Sequence, residues 1–395
     1  MTTTTTRGPD LTGLTAGPGQ TWGAVRLVPL LRDTPVTDLR LHARLYDPDD
    51  LSLVAVTPRV DYVAYVPHAF VADWTSDGTP AAAYGTQLRD PADDGHPDGI
   101  GLTMRRRMAR REERRRLRFL PMHLALEGFL ALQFGGPPVV WQEWTRRAVV
   151  QGLSPRTEAA YRGAEVAGLA DALRVFEIHP GQCGMLLYVA DALAAAFVVP
   201  HPDDYRALHP TLLQDLYGEL VHQYAHFHPE VPGFRPTLDT DRVSTVADLR
   251  AELARTRAEW SAFTLRMADG LLGVDQVTSS RVHRMGRFTL SRFLPAFDPD
   301  GENHIGETIT DGAGRLAYLK SFRLSAAQAR RGHLLSRLAA ADWNLDATAA
   351  ALGTDRQSLV LRLDRAGFGD LLRPEIIDAA RRRAREQLRP TRRTR

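Results

Sequence analysis

Near the start of the chain, three stretches alternate apolar and polar positions: "AVRLVPLL" (Ala24 to Leu31), "LRLHARLY" (Leu39 to Tyr46) and "VDYVAYV" (Val60 to Val66). Their period of two and their β-branched or aromatic content predict strands, hence a β-rich N-terminal part. Residues 1–20, a Thr run followed by Gly and Pro, have no such pattern and read as a disordered leader. Thr75 to Gly101 is rich in Asp, Gly and Pro and reads as a long loop. Met104 to Arg118 is helical in propensity but polar nearly all round, as in a solvated or bridging helix. Gly135-Gly136-Pro137-Pro138 breaks the chain before "VVWQEWTRRAVV", and Thr157 to Phe176 is Ala-rich and reads as a helix. After "HPGQCG", the runs "MLLYVA" and "LAAAFVV" flank Asp191 and predict two buried strands in a hairpin. A helix follows from "HPDDY", with Leu208, Leu212, Leu213, Leu216, Leu220 and Val221 at helical spacing. Strands mixed with helices in this order predict an α+β fold.

Val246 to Leu272 reads as one long amphipathic helix, and "RFTLSRFLPAF" and "GRLAYLKSF" as two further strands. The intervening "DPDGENHIGE" resembles a calcium loop, but position six from Asp298 is Asn303 rather than Gly and position twelve is Ile309 rather than Glu. A hairpin loop is the better reading. The last part is all helical in pattern. Ser325 caps a helix to about Ala341, and Asn344 or Asp346 caps a short one over Ala347 to Leu352. Gly353 supplies a left-handed turn, Asp355 caps the next helix, and Gly367 ends it. This predicts a helix-turn-helix. The expected division is a leader (1–20), an α+β domain (21–230), a helix plus β-hairpin extension (231–324) and a C-terminal helix-turn-helix with a basic tail (325–395).

A length of 395 residues with 44% apolar and 25% charged residues suits two or three ordinary folded domains. The lone Cys183 makes no internal disulfide, Met1 to Asp10 has no apolar signal-peptide core, and the most apolar run, Gly184 to Val199, is interrupted by Asp191. These point to the cytoplasm and to no membrane span. Lys320 is the only lysine, which removes a P-loop or Schiff-base lysine everywhere else, and its own surroundings read as a strand with no Gly-rich neighbour. The net charge of +3 hides two basic segments. One runs from Arg105 to Arg118 (9 Arg, 2 Glu) and includes Arg105, Arg106, Arg110 and Arg114; the other runs from Arg356 to Arg395 (12 Arg, 5 acids) and includes Arg381, Arg382 and Arg383. Both suit polyanion contact, or solvated helices in an Arg-rich chain. His222 and His226 have i, i+4 spacing and are weak candidates for zinc, against a structural role at a helix end. Cys183, before an apolar run, reads as a buried strand thiol rather than a nucleophile. No GxSxG, GxGxxG or spaced acid pair indicates catalysis, an enzyme is not favoured, and no cofactor is expected.

Two resemblances refine this. Asn344, Ala347, Ala349, Ala350, Leu352, Gly353, Arg356 and Leu359 follow the pattern of the Fis-type helix-turn-helix that ends many bacterial enhancer-dependent activators. That resemblance implies DNA as partner, a homodimer on a palindromic site, base contact from Arg356 and Gln357, and phosphate contact from Ser358 and Arg362. The chain departs from it at Asp355, Val360 and Leu361, where relatives often carry Asn or Ser and then basic or tyrosine side chains. The alternatives are an inert helical cap or a protein-binding face. Separately, "WGAVRLVPLL" and "HPGQCGMLLYVADALAAAFVVPHPDDYRALHPTLLQDLYGELV" resemble the bacterial ARPP family, with its "PGQ-V-G", its "D-P-x-x-(Y/F)" helix start and its "P-K-L-L" helix. Cys183 stands at the usual Val position. A "G-A-K-Q-N-R"-like stretch of the better-known branch is missing, so the chain resembles the second branch. The resemblance implies partners in ADP-ribose or RNA-repair chemistry and supplies no catalytic residue. Function is then read as a sensor or adaptor with a DNA-binding end; a ligand-binding or catalytic subunit acting on ADP-ribose or RNA ends, and a scaffold, are the alternatives.

Overall fold

The computed structural model describes residues 3–41, 168–216, 237–274, 277–298 and 300–387, with short strands between 53 and 89 and a few positions from 220 to 230. Its centre is a ten-stranded antiparallel sheet. The strands are β1 (Thr3–Thr6), β2 (Thr15–Ala16), β3 (Gln20–Trp22) and β4 (Val25–Leu31) from the N-terminal end. After β5 (Arg40–Leu41), β6 (Leu53–Thr57), β7 (Val60–Ala64), β8 (Val71–Asp73), β9 (Pro80–Ala82) and β10 (Thr86–Arg89), which form two separate three-stranded sheets, come the other members of the large sheet. These are β11 (Gln182–Val189), β12 (Ala192–Val198), β13 (Val277–Met285), β14 (Phe288–Leu294), β15 (His304–Thr310) and β16 (Leu316–Arg323). The order is β1-β13-β14-β15-β16-β12-β11-β4-β2, with β3 on β4.

Both faces of this sheet are covered where β11 and β12 run, and these two strands are apolar almost throughout. Met185, Leu187, Ala195 and Phe197 point to one face, and Leu186, Tyr188, Ala196 and Val198 to the other. The first face carries α1 (Leu169–Val175) and α2 (Pro202–Leu216). The second is closed by Leu11, Leu14, the end of α3 (Val246–Arg266) and α4 (Asp269–Leu272). Tyr188 donates its hydroxyl to the Thr264 carbonyl at 2.9 Å, which ties α3 to the sheet. The C-terminal helices are α5 (Ala326–Ala340), α6 (Leu345–Ala351), α7 (Arg356–Leu363) and α8 (Pro374–Gln387). Leu334, Leu335 and Leu338 of α5, Ala349, Leu359, Leu363 and Phe368 belong to the same apolar core as Ile305, Tyr318 and Phe322 of the sheet. The α+β architecture with a helical C-terminal region is therefore as expected. Among the described residues, no helix is long and apolar enough to cross a membrane.

Four local expectations are corrected. The Thr run is not a disordered leader: β1 pairs antiparallel with β13, Thr3 opposite Ser280, and the Gly8 amide donates to the Val274 carbonyl at 2.9 Å. Threonine is a good strand former, and β13 offers it an open edge. The stretch 75–101, expected to be loop, contains β9 and β10. "DPDGENHIGE" is loop only to Asn303, since His304 opens β15, which pairs with β14 and β16. β13 had no sequence signal because "VTSSRVHRM" carries few apolar residues. Finally, Val246 to Leu272 is two helices, for Ala268 at φ −98° and ψ 8° breaks the run.

Candidate functional site

The capping pattern in the C-terminal region folds as its residues dictate. Ser325 accepts from the Gln328 amide at 3.2 Å while Gln328 reaches back to the Ser325 amide at 2.9 Å, a capping box for α5. Asn344 caps α6 through the Asp346 and Ala347 amides, both at 3.0 Å. Gly353, at φ +61°, makes the turn that a β-carbon would strain. Asp355 then accepts from the Ser358 amide at 2.9 Å and caps α7.

This geometry decides what each nominated side chain faces. Arg356 is half-exposed and pairs with Asp346 of α6, Nη1 to Oδ2 2.7 Å. Gln357 donates to Gln387 at the end of α8, 3.3 Å. The Ser358 hydroxyl is held by the Asp355 carboxylate, and these bonds lower the Asp355 pKa. Asp355 is thus a cap first and a repulsive charge second. Arg362 is exposed and makes no ion pair among the described residues. Val360 is 1% exposed, covered by α8, so its apolar character serves packing. α8 lies along α7, and the groove between them, about 290 Å³, is lined by Arg356, Gln357, Val360, Ile376, Ala380 and Arg383. Arg381 is bound to Asp364 at 2.6 Å, whereas Arg382 and Arg383 are exposed. Arg105, Arg106, Arg110 and Arg114, and likewise His222 and His226, lie outside the described residues.

The two quoted motifs "HPGQCG" and "HPDDYRALHP" meet in a buried hydrogen-bond network. Gln182 accepts from the His179 amide at 2.9 Å and donates to the Gly184 carbonyl at 3.1 Å. His209 Nε2 lies 2.7 Å from the Phe176 carbonyl, which can only accept, so Nε2 carries the proton. Nδ1, 3.0 Å from the Tyr205 hydroxyl, is then the acceptor. Burial lowers the His209 pKa, in keeping with a neutral ring, and raises that of Tyr205, whose hydroxyl also contacts Gln182. Asp204 accepts from Arg40 Nε at 2.9 Å. The network fastens α2 to β11 and acts as a latch. Cys183 is fully buried, and desolvation, opposed by Arg32, pushes its thiol up to about 11. It is protonated at neutral pH, as a buried thiol should be.

Sequence reading passed over a row of charges inside the sheet. Arg292 on β14, Glu307 on β15 and Lys320 on β16 face one another in register. Arg292 donates to Glu307 Oε1 from Nε at 3.1 Å and Nη2 at 2.8 Å. Glu307 and Lys320 are 0% and 1% exposed. The lysine ammonium stands 5.6 Å from the Phe322 ring centre and 6.0 Å from that of Phe197. The available signal was the solitary lysine itself in an otherwise apolar strand. Among the described residues, no three of His, Cys, Asp and Glu come together as metal ligands.

No curated protein and no solved structure matches the chain. A family model does. ARPP-2 matches residues 9–286, a span that takes in the Gln182–Tyr205–His209 latch and ends in the turn between β13 and β14. On that match, covering well over half its length, the chain belongs to the ARPP-2 family.

Proposed function

We propose that this protein is a non-enzymatic cytoplasmic regulator: an ARPP-2 region that senses or docks a partner, joined to a Fis-type helix-turn-helix, α6 and α7, that binds DNA, as a homodimer on a palindromic site. The observation that carries the reading is the distribution of arginines from α7, through the segment that follows it, to α8. Arg362, Arg365, Arg373, Arg382, Arg383 and Arg385 make no ion pair among the described residues, while Arg356 and Arg381 are held by Asp346 and Asp364. Unneutralised cations along a helix pair suit phosphate contact. Arg356 and Gln357 read base edges once they leave Asp346 and Gln387. An exposed pair such as Arg356–Asp346 is worth only about 0–1 kcal/mol, less than the roughly 1–3 kcal/mol of a good bidentate base contact. The partners on the sensing side belong to ADP-ribose or RNA-repair chemistry.

Selection from a random duplex pool by the full-length protein, repeated at two salt concentrations, tests this. The expected result is an enriched half-palindromic motif with affinity falling steeply as salt rises. Arg356→Ala then relaxes sequence preference and costs about 1–3 kcal/mol, and Arg362→Ala weakens all sequences alike and lowers the salt slope by about one. No enrichment at low salt sinks the reading.

One observation favours a second reading, a ligand-binding or catalytic subunit acting on ADP-ribose or RNA ends: the Arg292–Glu307–Lys320 row, in which Glu307 and Lys320 are buried. Burying ions costs several kcal/mol each, and a well-packed apolar substitute is often no less stable, so such a row invites a functional reason. Lys320→Met, assayed for thermal stabilisation by ADP-ribose, separates the cases. Stabilisation of the wild type that the variant lacks supports a ligand site; no stabilisation of either removes this reading.

A further inference from the structure

On the sheet face opposite Lys320, the β14–β15 connection and α4 enclose a cavity of about 350 Å³. Its walls are Leu271, Val277, Phe293 and Pro295, and its polar end holds Asp298, Glu302, Asn303 and His304. His304 is 3% exposed, and neither of its ring nitrogens has a hydrogen-bond partner. A buried polar group in that condition costs about 1–3 kcal/mol and asks for an explanation. The Glu302 carboxylate is the nearest acid, Oε2 3.7 Å from His304 Nε2, too far for a hydrogen bond. Its other oxygen is held 2.8 Å from Arg323 Nη1. Gly270 in α4 makes room for this arrangement: a β-carbon there would come within 1.9 Å of Glu302 Oε2. The connection is braced from within, since Asn303 donates to the Asp298 and Gly301 carbonyls at 2.6 Å and 3.0 Å.

We propose that this cavity binds a small organic amine, with its ammonium group between Glu302 and His304 and its hydrocarbon part against Phe293, Leu271 and Val277. Two carboxylates, Asp298 and Glu302, outnumber the one guanidinium of Arg323, so the polar end favours a cation. An ammonium brings three donors and no acceptor. Glu302 and the imidazole each supply an acceptor. Burial lowers the His304 pKa, which keeps the ring neutral and able to accept. A divalent metal is a poorer occupant, because no three ligand-type side chains converge among the described residues.

The experiment is titration of the full-length protein with putrescine and n-butylamine, with 1,4-butanediol and 1-butanol as uncharged counterparts, read by calorimetry and by imidazole NMR shifts. Both amines should bind saturably, and the alcohols at least about tenfold more weakly, a difference of about 1.4 kcal/mol. Glu302→Gln, with its fold checked by circular dichroism, should lose the preference for amines. Gly270→Ala, which displaces the Glu302 carboxylate, should do the same without altering charge. The proposal is overturned if the amines do not saturate, if the alcohols bind equally well, or if a folded Glu302→Gln protein binds amines as wild type does. No DNA enters this test, so its failure is separate from failure of the regulator reading.

Discussion

Gly184 of β11 pairs with Val198 of β12, and a β-carbon on it would lie 2.2 Å from the Phe197 carbonyl oxygen. Backbone on both strands would have to move, so Gly184→Ala should destabilise by about 1–3 kcal/mol, seen as a lower urea midpoint at unchanged slope. An unchanged midpoint would mean the strands have slack there. His209 makes a different prediction. Its folded pKa lies below the 6.5 of a free imidazole, so the unfolded chain takes up the proton first. Stability is full above that value and falls as pH drops below it toward the folded pKa. His304 is shifted the same way and adds to the effect. The urea midpoint should therefore fall between about pH 7.5 and about pH 5, and fall less in His209→Gln. Equal losses in the two proteins would show that His209 is not the group responsible. At this scale the sequence was legible only in part. "HPGQCG" and "HPDDY" stood out as motifs, but the bond from His209 to Phe176 spans 33 residues and has no local pattern. The reason for the solitary Lys320, likewise, needs Glu307 from the neighbouring strand.

Elements were read better where local rules suffice. The β11–β12 hairpin, β4, β14, β16 and the caps of α5, α6 and α7 follow from periodicity and capping chemistry, which act within a few residues. β1 escaped because β13 holds it, and β13 because β1 and β14 hold it, rather than through patterns of their own. The most informative departure is Val360. Compared with a Fis-type helix it looks like a lost cation, yet α8 covers it. Val360→Arg should therefore not strengthen DNA binding. It should force a guanidinium under α8 and destabilise by about 2–4 kcal/mol, measurable by thermal unfolding. A stable variant with tighter DNA binding would show that α8 readily leaves α7. Asn344→Ala removes the two cap bonds of α6 and should cost about 0.5–2 kcal/mol by the same measurement.

On the scale of the whole molecule, the C-terminal helices are not an appendage. Phe297, at φ 55° in the β14–β15 connection, lies so close to Gly332 of α5 that a β-carbon there would be 2.3 Å from its ring. Leu334, Leu338, Leu359 and Phe368 complete an apolar core begun by the sheet. Heating should then melt sheet and helices in one transition, seen as a single calorimetric peak with equal calorimetric and van't Hoff enthalpies. Two resolved peaks would show that the helices fold on their own. The turn between β13 and β14 has its own consequence. The family match stops there, at residue 286, but β14, β15 and β16 lie beyond it and fill the space between β13 and β12. A protein cut at that homology boundary would keep the recognisable sequence and lose the middle of its sheet. β12 would become a bare edge and β13, which loses β1 as well as β14, would have no strand partner, both open to pairing with other chains, so a fragment of residues 9–286 chosen by sequence similarity alone should aggregate.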